Sequence, residues 1–195
     1  MLRTIVDLRT WLRRDLQSYG LEFALRPTLI RELLRAPQLR WQIRLRVTEL
    51  CINRSAGRAG RAFGAFMRWR LLERSARLGF TIPPNVCGPG LKLPHWGTIV
   101  LSAEARIGSD CVIHPGVGVG MNHGRAPRIG DRVYLGPGVK VMGGIEIADG
   151  VTVGANSVVT RDVSAGLRVV GAPARPIRGI DEAAAEHAAL FTRDE

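Results

Sequence analysis

Ile129-Gly-Asp-Arg-Val-Tyr134, Leu135-Gly-Pro-Gly-Val-Lys140, Val141-Met-Gly-Gly-Ile-Glu146, Ile147-Ala-Asp-Gly-Val-Thr152, Val153-Gly-Ala-Asn-Ser-Val158, then Val159: cut every six residues, this stretch opens each hexad with an aliphatic side chain. A small residue usually follows the opener, and a small or aliphatic one sits four places on. Neither a helical period nor a plain two-residue alternation persists over such a length. A hexapeptide β-helix has this pattern, with three short strands per coil and the opener of each hexad pointing into the prism. Asp-Gly and Pro-Gly pairs fall where the chain turns, because positive φ is cheap there.

Working outward, the prism is predicted to begin near Thr81, since Pro83-Pro84 stops a helix. Cys87 and Leu93 open hexads, but the next opener is Leu101, so two residues are extra within Pro94-His95-Trp96-Gly97. Leu101, Ile107, Ile113 and Val119 restore the period. Four further residues are extra in the stretch 121–128, ahead of Ile129. Inserted residues must leave a periodic prism as loops, and such loops often form a binding face. Beyond Val163, the stretch Leu167–Arg178 is read as leaving the repeat, and Asp181–Phe191 as a short terminal helix capped by Asp181.

Upstream, residues 1–78 read as helices. Ile5, Leu8, Leu12 and Leu16 form one face with a stop at Gly20. A second helix opens at Pro27 and ends at Pro37. From Leu39 a two-residue alternation competes with a helical spacing of Leu39, Ile43 and Val47, and helix is preferred. Gly57 and Gly60 break the chain before a helix from Ala62 to Leu78 with Phe63, Phe66, Met67 and Leu71 on one side. The predicted organisation is a basic helical segment (1–78), a mainly β domain built as a parallel β-helix (79–180), and a C-terminal helix or tail (181–195).

The charge is lopsided. Residues 1–78 hold seventeen Arg against six acidic residues, whereas 79–195 are balanced, so the whole formal charge of +11 belongs to the helices. Three readings stay open for them: packing on the coils or neighbouring subunits with Arg left in water, docking on an anionic membrane with Trp11, Trp41 and Trp69 as anchors, and nucleic-acid binding. The last is set aside because no motif accompanies the charge. No apolar run reaches the roughly 20 residues of a membrane span, and the first residues lack a secretory pattern, so a cytoplasmic protein is expected. Cys87 and Cys111 fall on core positions and are read as buried thiols.

An ionisable side chain carried out of the prism by an inserted loop is a candidate for proton transfer. His95, in the first insertion, is the candidate base. His114 should stack near it, either lining the site or bonding a backbone carbonyl. His123, in the second insertion, is either a substrate contact or a surface residue. No metal is expected, because His95, His114 and His123 lack the close spacing of a zinc site.

Residues 79–178 resemble the serine O-acetyltransferase branch of the hexapeptide-repeat acyltransferases, particularly its relatives encoded with surface-polysaccharide genes. The shared text is Ile-Pro-Pro-Asn-x-x-Gly-Pro-Gly-Leu-x-Leu-Pro-His-x-Gly-x-Ile-Val from Ile82, then Ile-His-Pro-Gly-Val from Ile113, Pro-Arg-Ile-Gly-Asp-Arg-Val-Tyr-Leu-Gly-Pro-Gly from Pro127, and Gly-Ala-Pro-Ala-Arg from Gly171. The resemblance implies a left-handed β-helix, a homotrimer, His95 as general base and acetyl-CoA in a groove between adjacent prisms, with no metal cofactor. It puts Arg125 on the acceptor's carboxylate, and Asn122, His123 and His114 are further candidate acceptor contacts. Pro137 and Ala155 match residues that line the CoA arm, and Gly120 and Arg175 are further candidate CoA contacts. This sequence departs from the family at three active-site positions: Phe80 replaces the aspartate that orients the histidine, Pro94 the acid preceding it, and Ala126 the second histidine. Those losses make a sugar hydroxyl the favoured acceptor, with L-serine, or a non-catalytic trimeric scaffold, as alternatives.

Overall fold

The computed structural model describes residues 2–23 and 27–177; the helix read at Asp181–Phe191 lies outside them. Four helices precede a parallel β-helix: α1 (Ile5–Gln17), α2 (Pro27–Arg35), α3 (Pro37–Arg54) and α4 (Gly57–Leu78). The prism has three walls. The first stacks β1 (Phe80–Thr81), β2 (Ile99–Leu101), β5 (Gly118–Gly120), β8 (Lys140–Met142) and β11 (Val158–Val159). The second stacks β3 (Arg106–Ile107), β6 (Arg128–Ile129) and β9 (Glu146–Ile147). The third stacks β4 (Val112–Ile113), β7 (Tyr134–Leu135), β10 (Thr152–Val153) and β12 (Arg168–Gly171), onto which β13 (Ala174–Pro176) folds back antiparallel.

The hexad openers fill the interior. Ile129, Leu135, Val141, Ile147, Val153 and Val159 are all buried, in one cluster with the openers of the earlier coils and with Cys87 and Cys111. Their register gives the coil lengths. Val141 pairs with Val159 and Ile129 with Ile147, 18 residues apart. Cys87 pairs with Ile107, and Ile107 with Ile129, 20 and 22 residues apart. The two and four extra residues read from the sequence are therefore present, and they leave the prism as loops. At the start, Phe80 and Ile82 point inward and Thr81 outward. At the end, the chain from Leu167 does not leave the repeat at once: β12 pairs in parallel with β10 and buries Val169.

The helices depart from the sequence reading in which side chains they bury. α3 is a helix throughout, and Pro37 both follows α2 and opens α3 at its first turn. Its inner face is Gln38, Leu39, Trp41, Gln42, Leu45, Arg46, Thr48 and Glu49, whereas Ile43 and Val47 are only half-buried. α4 starts at Gly57 and runs through Gly60 without a break, and it buries Gly64, Leu71 and Ser75 while Phe63 and Phe66 face out. On α1 only Leu16 of the expected apolar face is buried, and Ile5 is exposed. The expected membrane anchors are also corrected. Trp41 is buried, donating from Nε1 to Ser75 Oγ at 2.8 Å and meeting Phe80 edge-on at 4.8 Å, and Trp11 lies under the Arg46 guanidinium at 4.9 Å.

The polar inner face of α3 caps the open end of the prism. A parallel coil with nothing beneath it presents unpaired N–H and C=O groups, which are costly when buried. Arg46, wholly buried, donates to the carbonyls of Cys87 at 2.9 Å and Gly88 at 2.6 Å, and pairs with Asp15 at 2.7 Å and Glu49 at 3.1 Å. Asp15 Oδ1 accepts from the N–H groups of Gly90 and Leu91, and Glu49 from that of Asn85. Gln42 donates to the carbonyl of Leu91. Tyr19 Oη accepts from Leu93 N–H and donates to Leu93 O, and burial raises its phenol pKa. So not every Arg of the segment stays in water. Arg46→Ala strands two buried carboxylates and is expected to cost about 3–5 kcal/mol, read as an earlier midpoint in urea unfolding. A loss below about 1 kcal/mol would show that the cap is held by apolar packing instead.

Candidate active site

The first insertion sits on the edge where the third wall turns into the first. His95 is exposed there, between Pro94 and Trp96. The loop is held from both sides by the helices: Gln38 Nε2 reaches Pro94 O at 3.4 Å, and Gly97 N–H donates to Leu78 O at 3.0 Å. Gly97 has φ +142°, and a Cβ on it would come 3.1 Å from the Pro115 ring, so the chain folds flat onto the next coil there only because no side chain is present.

Register arranges the rest of the edge. The Lys92–Val112 bridge sets inward Leu93 beside Ile113, and Ile113 pairs with Leu135 and Leu135 with Val153. Two residues past these inward positions lie His95, Pro115, Pro137 and Ala155, one per coil. The Gly138 N–H bonds Pro115 O and the Asn156 N–H bonds Pro137 O along the same edge. Pro137 and Ala155 thus stand in line above His95.

His114, one coil up, has its ring centroid 6.5 Å from that of His95 and 5.1 Å from that of Tyr134. Burial holds its pKa below the ordinary imidazole value, aided by the neighbouring His95 and Lys92. It is therefore neutral at pH 7 and can accept or donate a hydrogen bond without carrying charge. Lys140 reaches across the same edge and donates from Nζ to Gly116 O. Sequence reasoning did not single out Tyr134, Trp96 or Lys140. The signal for Tyr134 is its outward hexad position, paired with Val112 beside His114.

The second insertion projects from a different edge, between the first and second walls. Asn122 and Arg125 exchange backbone hydrogen bonds at 3.0 Å each way. His123 (φ 49°) and Gly124 (φ 73°) form the tight turn between them. Asn122, His123 and Arg125 are all exposed, and Gly120 lies at the base of this loop. Within one chain, the structure does not bring this group to His95, since the two edges flank the whole first wall. Arg175 is farther still, in β13 at the opposite end of the prism from the helices. His123 lies away from the His95–His114 pair, and the described residues contain no group of three potential metal ligands.

Among the described residues, nothing hydrogen-bonds the His95 ring. Phe80 is buried against Trp41. Pro94 offers only its carbonyl, to Gln38. What this edge offers is an accessible imidazole beside a neutral one, at the foot of a flat column of small and proline residues. Such an edge can take a proton from a bound hydroxyl and lay an extended ligand along the coils.

Residues 126–161 match the model of the bacterial transferase hexapeptide family (six repeats). The chain is 40% identical over 115 residues to a serine acetyltransferase of Synechococcus elongatus, covering 55% of this chain and 47% of that protein. It is 40% identical over 115 residues to a serine acetyltransferase of Helicobacter pylori, covering 55% and 67%. The Neisseria gonorrhoeae serine acetyltransferase solved in complex with serine superposes with a TM-score of 0.71 at 28% identity, over 88% of this chain and 69% of that one. The chain spans about half the length of the Synechococcus relative.

The lowered pKa of His114 has a direct readout. Its ring proton resonances should titrate with a midpoint below 6.5, and His95→Ala should move that midpoint upward by removing a neighbouring positive charge. A midpoint at or above 6.5 would place His114 in water.

Proposed function

The chain belongs to the serine acetyltransferase family of hexapeptide-repeat transferases, and on that premise we propose that it moves an acetyl group from acetyl-CoA to the hydroxyl of L-serine. The observation that carries the reading is His95, exposed in the first insertion at the foot of the Pro115–Pro137–Ala155 column. His95 takes the proton of the acceptor hydroxyl. The alkoxide oxygen attacks the thioester carbonyl carbon, and backbone N–H groups stabilise the oxyanion. The tetrahedral adduct then breaks its C–S bond, and the departing thiolate receives the proton from His95. In this reading the thioester arm runs up the column past Pro137 and Ala155. Gly120 and Arg175 contact the donor, while Asn122, His123, Arg125 and His114 contact the acceptor. The enzyme works in the cytoplasm.

A trimer supplies what one chain lacks. Gly120 and the Asn122–Arg125 loop stand on a different edge from His95, so a groove between adjacent prisms joins one chain's base to the next chain's loop. Exposed Val100 and Met142 on the intervening first wall give that contact apolar surface. The neighbour would also furnish a partner for the second nitrogen of His95. Light scattering should return the mass of three chains, and a monomer at micromolar concentration would remove the shared site.

The names of the relatives support L-serine better than the sugar hydroxyl favoured from sequence. The sugar reading keeps one specific support: Phe80 and Pro94 stand where the resemblance implies carboxylates, one orienting the histidine and one preceding it. It would fit a role in surface-polysaccharide synthesis. A CoA-release assay over L-serine and nucleotide- or lipid-linked sugars separates the two. We expect turnover with L-serine that falls roughly 10²-fold or more in a folded His95→Ala variant. Turnover with a sugar alone would reassign the acceptor and leave the chemistry standing. Equal rates in the wild type and the variant would remove His95 as base.

A further inference from the structure

The outer side of the helical cap shares no residue with the acetyl-transfer site, yet it concentrates positive charge and exposed rings. α4 carries six Arg (58, 61, 68, 70, 74 and 77) against one acid, Glu73. Arg44 of α3 lies close to Arg40 on its own helix and to Arg70 and Arg74 of α4. Burial first, and then Arg74, Arg40 and Arg70, hold its guanidinium pKa below the usual value. Among the described residues, no carboxylate pairs with Arg44, Arg70 or Arg74. Arg40 is turned to the carbonyls of Leu33 and Leu34. Like charges gathered without counter-charge raise the free energy of the isolated chain, and an anionic surface relieves it.

Beside this cluster, Phe63, Phe66, Trp69 and Leu72 follow at three-residue spacing along the outward half of α4 and are 54, 51, 52 and 65% exposed. The Phe66 and Trp69 ring centroids are 6.0 Å apart. Large apolar side chains in a row on a helix already packed on its other side mark a contact surface.

We propose that this face of α3 and α4 docks on an anionic lipid bilayer, with Arg44, Arg70 and Arg74 at the headgroup phosphates and Phe63, Phe66, Trp69 and Leu72 in the interfacial layer. The combination selects the occupant. A second copy meeting this patch across a two-fold axis would set guanidinium against guanidinium. A soluble polyanion would meet the charge and leave the rings in water. A bilayer surface satisfies both at once. No helix among the described residues is long and apolar enough to cross the membrane, so the contact is peripheral.

The test is co-sedimentation of the full chain with phosphatidylglycerol and phosphatidylcholine vesicles at low and high salt, following Trp emission. Binding should favour phosphatidylglycerol, weaken as salt rises and shift Trp emission to the blue. The triple substitution Arg44→Gln, Arg70→Gln and Arg74→Gln should weaken it on the order of 100-fold. Trp69→Ser with Phe66→Ser should abolish the blue shift and the salt-resistant part of binding. Acetyl transfer by these variants reports on folding and on the other site separately. Equal binding to both vesicle types would overturn the proposal. So would unchanged binding in the Arg variant, or tighter binding to heparin than to phosphatidylglycerol with no blue shift. A doubling of mass in solution that the Phe66 and Trp69 substitutions abolish would assign the face to a second copy instead.

Discussion

Arg46 and the two carboxylates that hold it are the constraint on which the rest of this structure depends. A β-helix satisfies its backbone coil upon coil, and the first coil has no predecessor. Here its carbonyls at Cys87 and Gly88 and its N–H groups at Asn85, Gly90 and Leu91 are met by charged side chains brought from α1 and α3. Burying a guanidinium and two carboxylates is expensive unless every lone pair and proton is used. In this cap they are used on the one set of backbone groups that apolar packing cannot satisfy. The terminal strand edge, otherwise open to pairing with another chain, is thereby closed.

The same cap reaches the candidate site. Gln38 and Tyr19 hold Pro94 and Leu93, the residues leading into His95, while the end of α4 holds Gly97 just beyond it. The loop bearing the imidazole is fixed on both flanks by the helical segment. Trp41 against Phe80 completes the floor beneath it with apolar surface. A carboxylate at position 80 would be buried there, which gives a packing reason for an aromatic in that place.

The prism was legible because its rule is one-dimensional: an inward aliphatic residue every six positions, and an insertion wherever the count fails. That arithmetic located both loops and singled out His95. The helical cap was not legible, because hydrophobic patterning assumes that the buried face is the apolar one. α3 inverts this, burying Gln38, Gln42, Arg46 and Glu49 while leaving Ile43 and Val47 half in water. α4 leaves Phe63 and Phe66 outside for the same reason: the contact surface is set by the coil it covers, not by its own amphipathicity. At the site, the contact of His114 with Tyr134 depends on which coil follows the four-residue insertion, and spacing along one strand does not show it.

The column from His95 to Ala155 also behaves as a ruler. Strands stack about 4.8 Å apart, so Ala155 stands three steps, or about 14 Å, along the axis from His95. Such a distance cannot be adjusted continuously. It changes only by adding or removing a whole coil, because any other insertion is extruded as a loop and leaves the stacking unchanged, as the two natural insertions do here. The reach of an extended ligand laid on this edge is therefore quantised by the fold, and the helical cap fixes where the count begins.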